Sequence, residues 1–244
     1  MHSLHDDQSI FSRRHLPSWL LLAAAGGTVN AIGFVAHARF VSHVTGSIAK
    51  VGIDAGGGKL ALESAVVLGC LVLGAMSATP LIGGHGGKKP RHALPLVIVA
   101  GLLATLGVLG MAGVFGSFGS DDEARNFVFL SALSFSMGLQ NAAVAAATRL
   151  VVRTTHMTGA ATDLGLHLGE ALHSEGAARR NSFRQAALRA GKIIAFTFGA
   201  AAGAVLAARF GFLALSFPAA AVAFATVASF MRAPVSNAEA RVAT

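Results

Sequence analysis

The chain has 244 residues, of which 54% are apolar and only 12% charged, with a mean hydropathy of +0.64. Such a composition excludes an ordinary soluble domain and describes a polytopic membrane protein. The net charge of +8 does not argue for a nucleic-acid partner, because the basic residues cluster between apolar stretches rather than along one amphipathic face.

A polar tail, residues 1–15, precedes six candidate membrane spans at 16–35, 60–82, 92–118, 126–148, 192–208 and 212–231. At 1.5 Å per residue, stretches of about 17–27 residues cross a hydrocarbon core of about 30 Å, the shorter ones barely. The expected fold is therefore all-α and polytopic. Pro80, Pro90 and Pro234 punctuate span ends, and Pro218, inside the last span, is expected to kink it. Cys70 is the single cysteine; it excludes an intrachain disulfide and sits in an apolar run that gives a thiolate little support. With the N-terminus inside, only Arg39, Lys50, Lys59, Arg125 and Arg209 of the 19 basic residues fall outside. That bias places both termini in the cytoplasm. Ser12-Arg13-Arg14-His15 also has some likeness to a twin-arginine signal, but five further spans make the positive flank of a first anchor the better reading.

One phrase is used twice. Ser42-His43-Val44-Thr45-Gly46 recurs 113 positions later as Thr155-His156-Met157-Thr158-Gly159, and Gly27-x-x-Asn30-Ala31 precedes the first copy as Gly138-x-x-Asn141-Ala142 precedes the second. The spacing within the two copies differs by two residues, so one loop carries an insertion. Three spans separate the copies, and an odd repeat unit in a membrane turns its second copy upside down. The expected organisation is two inverted three-helix repeats, 16–118 and 126–232, joined by an acidic extracytoplasmic loop at 119–125 and followed by a tail at 233–244.

Gly138-Leu-Gln-Asn-Ala142, Arg153-Thr-Thr-His-Met-Thr-Gly-Ala-Ala-Thr-Asp-Leu-Gly165 and Phe40-Val-Ser-His-Val-Thr-Gly46 resemble the YoaK family of small bacterial inner-membrane proteins. The resemblance covers nearly the whole chain, about residues 14–232, and its second motif is the specific one. It implies six helices in a bacterial cytoplasmic membrane and supplies no activity. The chain departs from the family pattern twice: Asn30 stands where the family usually carries Asp, and His43-Val44 stand where it usually carries Asn-Met. Where such an acid couples transport to an ion or proton, this chain lacks it.

The repeated phrase has two readings. Ser/Thr-His-x-Thr-Gly can cap a helix at an interface. Alternatively each copy breaks a helix within the membrane, with Gly allowing the turn and Thr offering its hydroxyl, so that both copies build one solute pocket near the midplane. On the second reading the binding residues are Asn30, His43, Thr45, Gly46, Gln140, Asn141, His156, Thr158, Gly159 and Asp163. Lys50 occupies the place of Asp163, and the two form a candidate gate pair, although each could equally face water. His167, Glu170 and His173 have metal-capable spacing, but the chain holds no second Glu-x-x-His; an amphipathic helix with Leu164, Leu168 and Leu172 accounts for them. No metal and no cofactor are expected. Arg179, Arg180, Arg184, Arg189 and Lys192, in the basic segment 165–192, are placed at anionic headgroups. Walker, zincin, nucleophile-elbow and paired-cysteine signatures are missing. The leading function is a secondary transporter or permease, with the bilayer and a small solute as partners. The alternatives are a non-catalytic interaction or sensor protein docking through 165–192, and an intramembrane enzyme using His156 and Asp163 for proton transfer.

Overall fold

Helix is the only regular structure in the computed structural model, which describes residues 4–53, 59–83, 90–120 and 122–231. Pro234, Asp121 of the acidic loop, and Lys88, Lys89, Arg232 and Arg241, which belong to the cytoplasmic share of the basic residues, lie outside the described residues. The helices are α1 (Asp7–Ile10), α2 (Leu16–His37), α3 (Val44–Ile53), α4 (Lys59–Ile82), α5 (Ala93–Met111), α6 (Glu123–Ala147), α7 (Met157–His173), α8 (Gly176–Phe210) and α9 (Ser216–Thr226). A 3-10 turn, Gly211–Leu215, precedes α9, and a π-helical turn, Val227–Met231, follows it. Five stretches are long and apolar enough to cross a membrane: α2, most of α4, α5, α6 and the run Gly176–Met231.

Local chemistry sets the ends of these helices. Pro17 stands in the first turn of α2, where its missing N–H costs nothing. Asp122 caps α6 by accepting the Arg125 backbone N–H at 3.1 Å. The third span ends earlier than the apolar run suggests, at Met111, because the chain turns through Gly113 and Gly116, both at positive φ. Pro218 lies in the first turn of α9, so it starts that helix rather than kinking it. The fifth predicted span proves to be the second part of α8, whose 35 residues reach about 52 Å. The basic segment 165–192 is accordingly split between α7 and the start of α8.

Polarity is arranged as lipid demands. Leu62, Leu73, Met76, Phe198, Val205 and Phe224 are exposed on the outside, while Asn30, Ser134, Ser136 and Gln140 are buried within. α2 and α6 form the centre: Trp19, Leu22 and Ile32 pack with Phe129, Leu133 and Met137, all at 0% exposure.

Around this centre the packing is paired. α2 lies against α8 and α6 against α4; α3 lies on α4 and α7 on α8; α5 packs on α6, α2 on α9, and α5 on α9. Exchanging α2 with α6, α3 with α7, α4 with α8 and α5 with α9 maps this set of contacts onto itself. Glycines repeat the same relation at atomic scale. A Cβ on Gly27 would strike the Phe196 carbonyl and one on Gly199 the Ala24 carbonyl; likewise one on Gly138 would strike the Leu71 carbonyl and one on Gly74 that of Phe135. Each contact falls three residues before the partner glycine, so both helix pairs cross by the same glycine-on-backbone device.

At one end of the bundle the N-terminal segment is latched down. The Leu4 and His5 backbone N–H groups donate to Ala147 at the end of α6. His5 Nε2 meets the Ser229 carbonyl at 3.0 Å, and His15 Nδ1 meets Ser229 Oγ at 2.9 Å. Burial, reinforced by neighbouring His15, lowers the pKa of His5 to about 4, so the latch is uncharged at neutral pH. Phe212, by contrast, lies against Gly110 near the end of α5, so the chain reverses between α8 and α9.

Candidate functional site

Each copy of the phrase is built by the same three contacts. The asparagine on the preceding long helix anchors the loop. Asn30 Oδ1 accepts the Ser42 N–H at 3.0 Å while its Nδ2 donates to Ser42 Oγ at 2.8 Å. Asn141 Oδ1 accepts the Thr154 and Thr155 N–H groups at 2.9 and 3.0 Å, and its Nδ2 donates to the Thr155 hydroxyl. The histidine then starts the next helix: α3 begins at Val44 and α7 at Met157. Finally the ring folds back over the glycine three residues on. A Cβ added to Gly46 would lie 2.6 Å from the His43 ring, and one on Gly159 would lie 2.7 Å from that of His156. Gly46 and Gly159 thus make room for a ring inside a first helical turn, and the sequence expectation that they break a helix is corrected on this point.

The two copies also face one space. A cavity of about 580 Å³ is lined by Asn30, Ser42, His43, Val44 and Thr45 from one copy and by Asn141, Thr155, His156, Met157 and Thr158 from the other. Arg153, Phe34, Phe40, Leu71 and Phe196 complete most of the wall. Leu71 and Phe196 stand at matching places, each three residues before a close-packing glycine. The cavity has the size of small-ligand sites, and the amino ends of α3 and α7 both open onto it, carrying the positive ends of their dipoles. The Thr45 and Thr158 side chains are exposed there. The phrase thus stands at a helix start and lines the cavity, and His156 makes no side-chain capping bond to α7.

Several predicted residues stand elsewhere. Gln140, fully buried, donates through Nε2 to the Leu22 carbonyl at 3.1 Å and to Thr154 Oγ1 at 3.0 Å, and supports the loop from behind. Lys50 and Asp163 do not pair: Asp163 Oδ2 lies 3.7 Å from Arg189 Nε, and Lys50 lines a smaller neighbouring cavity with Arg39 and Glu63. The reason is the length of α8, which brings Arg189 beneath α7. Arg189 and Lys192 are buried, at 9% and 4% exposure, rather than spread at headgroups; Arg179, Arg180 and Arg184 remain exposed. His167 Nδ1 is 3.1 Å from Glu170 Oε2 on α7, and among the described residues no three His, Cys, Asp or Glu side chains converge. The sequence reading passed over Ser42, Thr155, Arg153 and the Phe34–Phe40 pair. The first three lie inside or beside the repeated phrase, and that adjacency was the available signal; Phe34 carried none.

Residues 18–228 match the model of a family described as a protein of unknown function, DUF1275. The chain belongs to the DUF1275 family. That match takes in both asparagine anchors, both histidines and the whole cavity wall. No curated protein and no solved structure is similar enough to add a named relative. For this DUF1275 protein, function has to be argued from the cavity.

Proposed function

We propose that the protein is a secondary transporter or permease of a small solute, built from two inverted three-helix halves that rock around the central cavity. The observation that carries this reading is that two phrases 113 residues apart in sequence line one space. The exchangeable packing of α2–α5 with α6–α9 supports it, because alternating access needs two equivalent bodies around a fixed site. Six spans follow if the 56-residue run Gly176–Met231 is divided at its reversal near Gly211. Asn30 and Asn141 hold the loops, while His43, Thr45, His156 and Thr158 face the solute.

Val in place of Thr nearly preserves volume and removes only the hydroxyl. Thr45→Val and Thr158→Val are therefore expected to abolish solute flux, or complementation of a deletion phenotype, without changing yield or melting temperature. Unchanged function in both variants would remove the shared site.

The bilayer reading assigns both termini to the cytoplasmic side of a bacterial inner membrane, from the bias of basic residues. Alkaline-phosphatase and fluorescent-protein fusions at Thr244 and at Ser120 should give opposite signals, with Ser120 outside. A periplasmic signal at Thr244 reverses the assignment.

A further inference from the structure

The cavity is symmetric in construction and asymmetric in charge. Three residues before each phrase histidine stands Phe40 in one half and Arg153 in the other; seven residues before the close-packing glycine of the second long helix stands Val67 in one half and Lys192 in the other. Of these, Arg153 and Phe40 both line the cavity, and no Asp or Glu does. Arg153 NH1 lies 3.4 Å from His156 Nδ1 at the amino end of α7, and Arg153 has no carboxylate within ion-pair distance among the described residues.

Lys192 is the independent observation. It is 4% exposed and makes no hydrogen bond or ion pair among the described residues. It stands one turn before Phe196 on the α8 stripe that continues through Ala200 and Ala204, all three of which line the cavity. Among charges, Arg189 acts on it most, then Asp163 with opposite sign and then Arg153, and its own charge reaches His156. The one acid nearby, Asp163, is drawn toward Arg189 at 3.7 Å. Arg153, Lys192 and Arg189 therefore set three cations against one carboxylate, Asp163, in a cluster of which Arg153 lines the cavity. A buried cation without a counter-ion is costly, and an anionic ligand would supply that counter-ion. Another part of the wall is apolar: Phe34 and Phe40 stack with ring centroids 4.6 Å apart, and Phe40 meets the His43 ring edge-on at 5.8 Å.

We propose that the cavity binds a small organic monoanion, a carboxylate on an apolar body. Its charged group is held by Arg153, His156 and the amino end of α7 above Lys192, and its body lies against Phe34 and Phe40. The guanidinium offers two parallel donors to a carboxylate, and the α7 N–H groups add the positive end of a helix dipole. The proposal names the substrate class of the transport reading and rests on it for flux alone, since binding can be measured separately.

The test uses the full chain purified in a non-ionic detergent and titrated calorimetrically with benzoate, benzyl alcohol and benzylamine, which share a ring and differ in charge. Saturable binding of benzoate at millimolar concentration or below is expected, with none for benzylamine. Arg153→Gln, at an exposed position, and Lys192→Met, which keeps the buried stem, should each weaken benzoate by about tenfold or more. Arg125→Gln should leave affinity unchanged, because Arg125 pairs with Asp122 at 3.2 Å and does not line this cavity. Benzylamine binding as well as benzoate, benzoate affinity that survives both cavity variants, or no saturable benzoate binding at all would each overturn the anion site. Binding without benzoate flux in proteoliposomes keeps the site and removes transport; flux of a neutral solute by protein that ignores benzoate does the converse.

Discussion

Gly27→Val and Gly138→Val are expected to remove nearly all folded protein, and to do so equally. At each position the new side chain meets backbone: Gly27 faces the Phe196 carbonyl and the Ala200 nitrogen of α8, and Gly138 faces Leu71 of α4. A flexible side chain could swing aside, but a helical backbone can relieve the clash only by separating the two helices along their length. Overpacking of that kind costs about 3 kcal/mol or more, and in a bilayer the lost contact is not replaced by a hydrophobic force between helices. The contact is also central, because α2 and α6 carry the buried core. Gly69 and Gly101 serve as controls, since an added Cβ there meets nothing within 4 Å. Fluorescence-detected size exclusion of each variant gives the readout. A monodisperse, wild-type peak for Gly138→Val would mean that α4 and α6 do not cross as described, and unequal losses at Gly27 and Gly138 would argue against equivalent halves.

The same glycines show how far the sequence could be read. Gly27 and Gly138 were visible as the first letters of a repeated Gly-x-x-Asn-Ala, because equivalent backbone contacts select the same residue at the same place. Their partners Gly74 and Gly199 were not matched to each other, since α4 and α8 share no phrase and the glycines answer to a helix crossing rather than to local chemistry. Helix existence was legible from hydropathy, because lipid requires every span to be apolar outside. Helix ends were less so: α8 begins at Gly176 rather than at 192 because an amphipathic first half, with Arg184 over the Phe11 ring at 4.2 Å, joins an apolar second half without a break. In the site, the phrase histidines and threonines stood out by repetition. Arg153 and Lys192 were hidden for the opposite reason, since they are where the two halves differ, and a search for repeats discards differences. Phe40, which holds Arg153's place in the other copy, becomes visible as its counterpart only when both line one cavity.

The asparagine anchors yield the sharpest separation of structure from ligand. Asn141→Leu is expected to unfasten the loop before α7, because it strands the Thr154 and Thr155 N–H groups and the Thr154 hydroxyl, which donates to Asn141 Oδ1 at 2.9 Å. A buried donor left without a partner costs about 1–3 kcal/mol, and two backbone donors are lost together. Thr154 and Thr155 are buried, at 0% and 7% exposure, so water does not replace the amide. Asn30→Leu strands a single backbone N–H, that of Ser42, and should cost roughly half as much. Hydrogen exchange of the 150–158 and 38–45 segments measures both effects, with the larger loss of protection expected in the second half. Asn141→Asp is the informative partner variant. Its carboxylate keeps both backbone acceptor bonds and accepts from the Thr155 hydroxyl, so protection should stay close to wild type. The new negative charge, however, stands on the cavity wall shared with Arg153 and His156, where it competes with an anion for the Arg153 guanidinium and the neighbouring donors. Intact protection together with a fall in benzoate affinity of about tenfold or more is therefore the expected pair of results, and Asp at this position that leaves benzoate affinity unchanged would separate the asparagine anchor from the anion site.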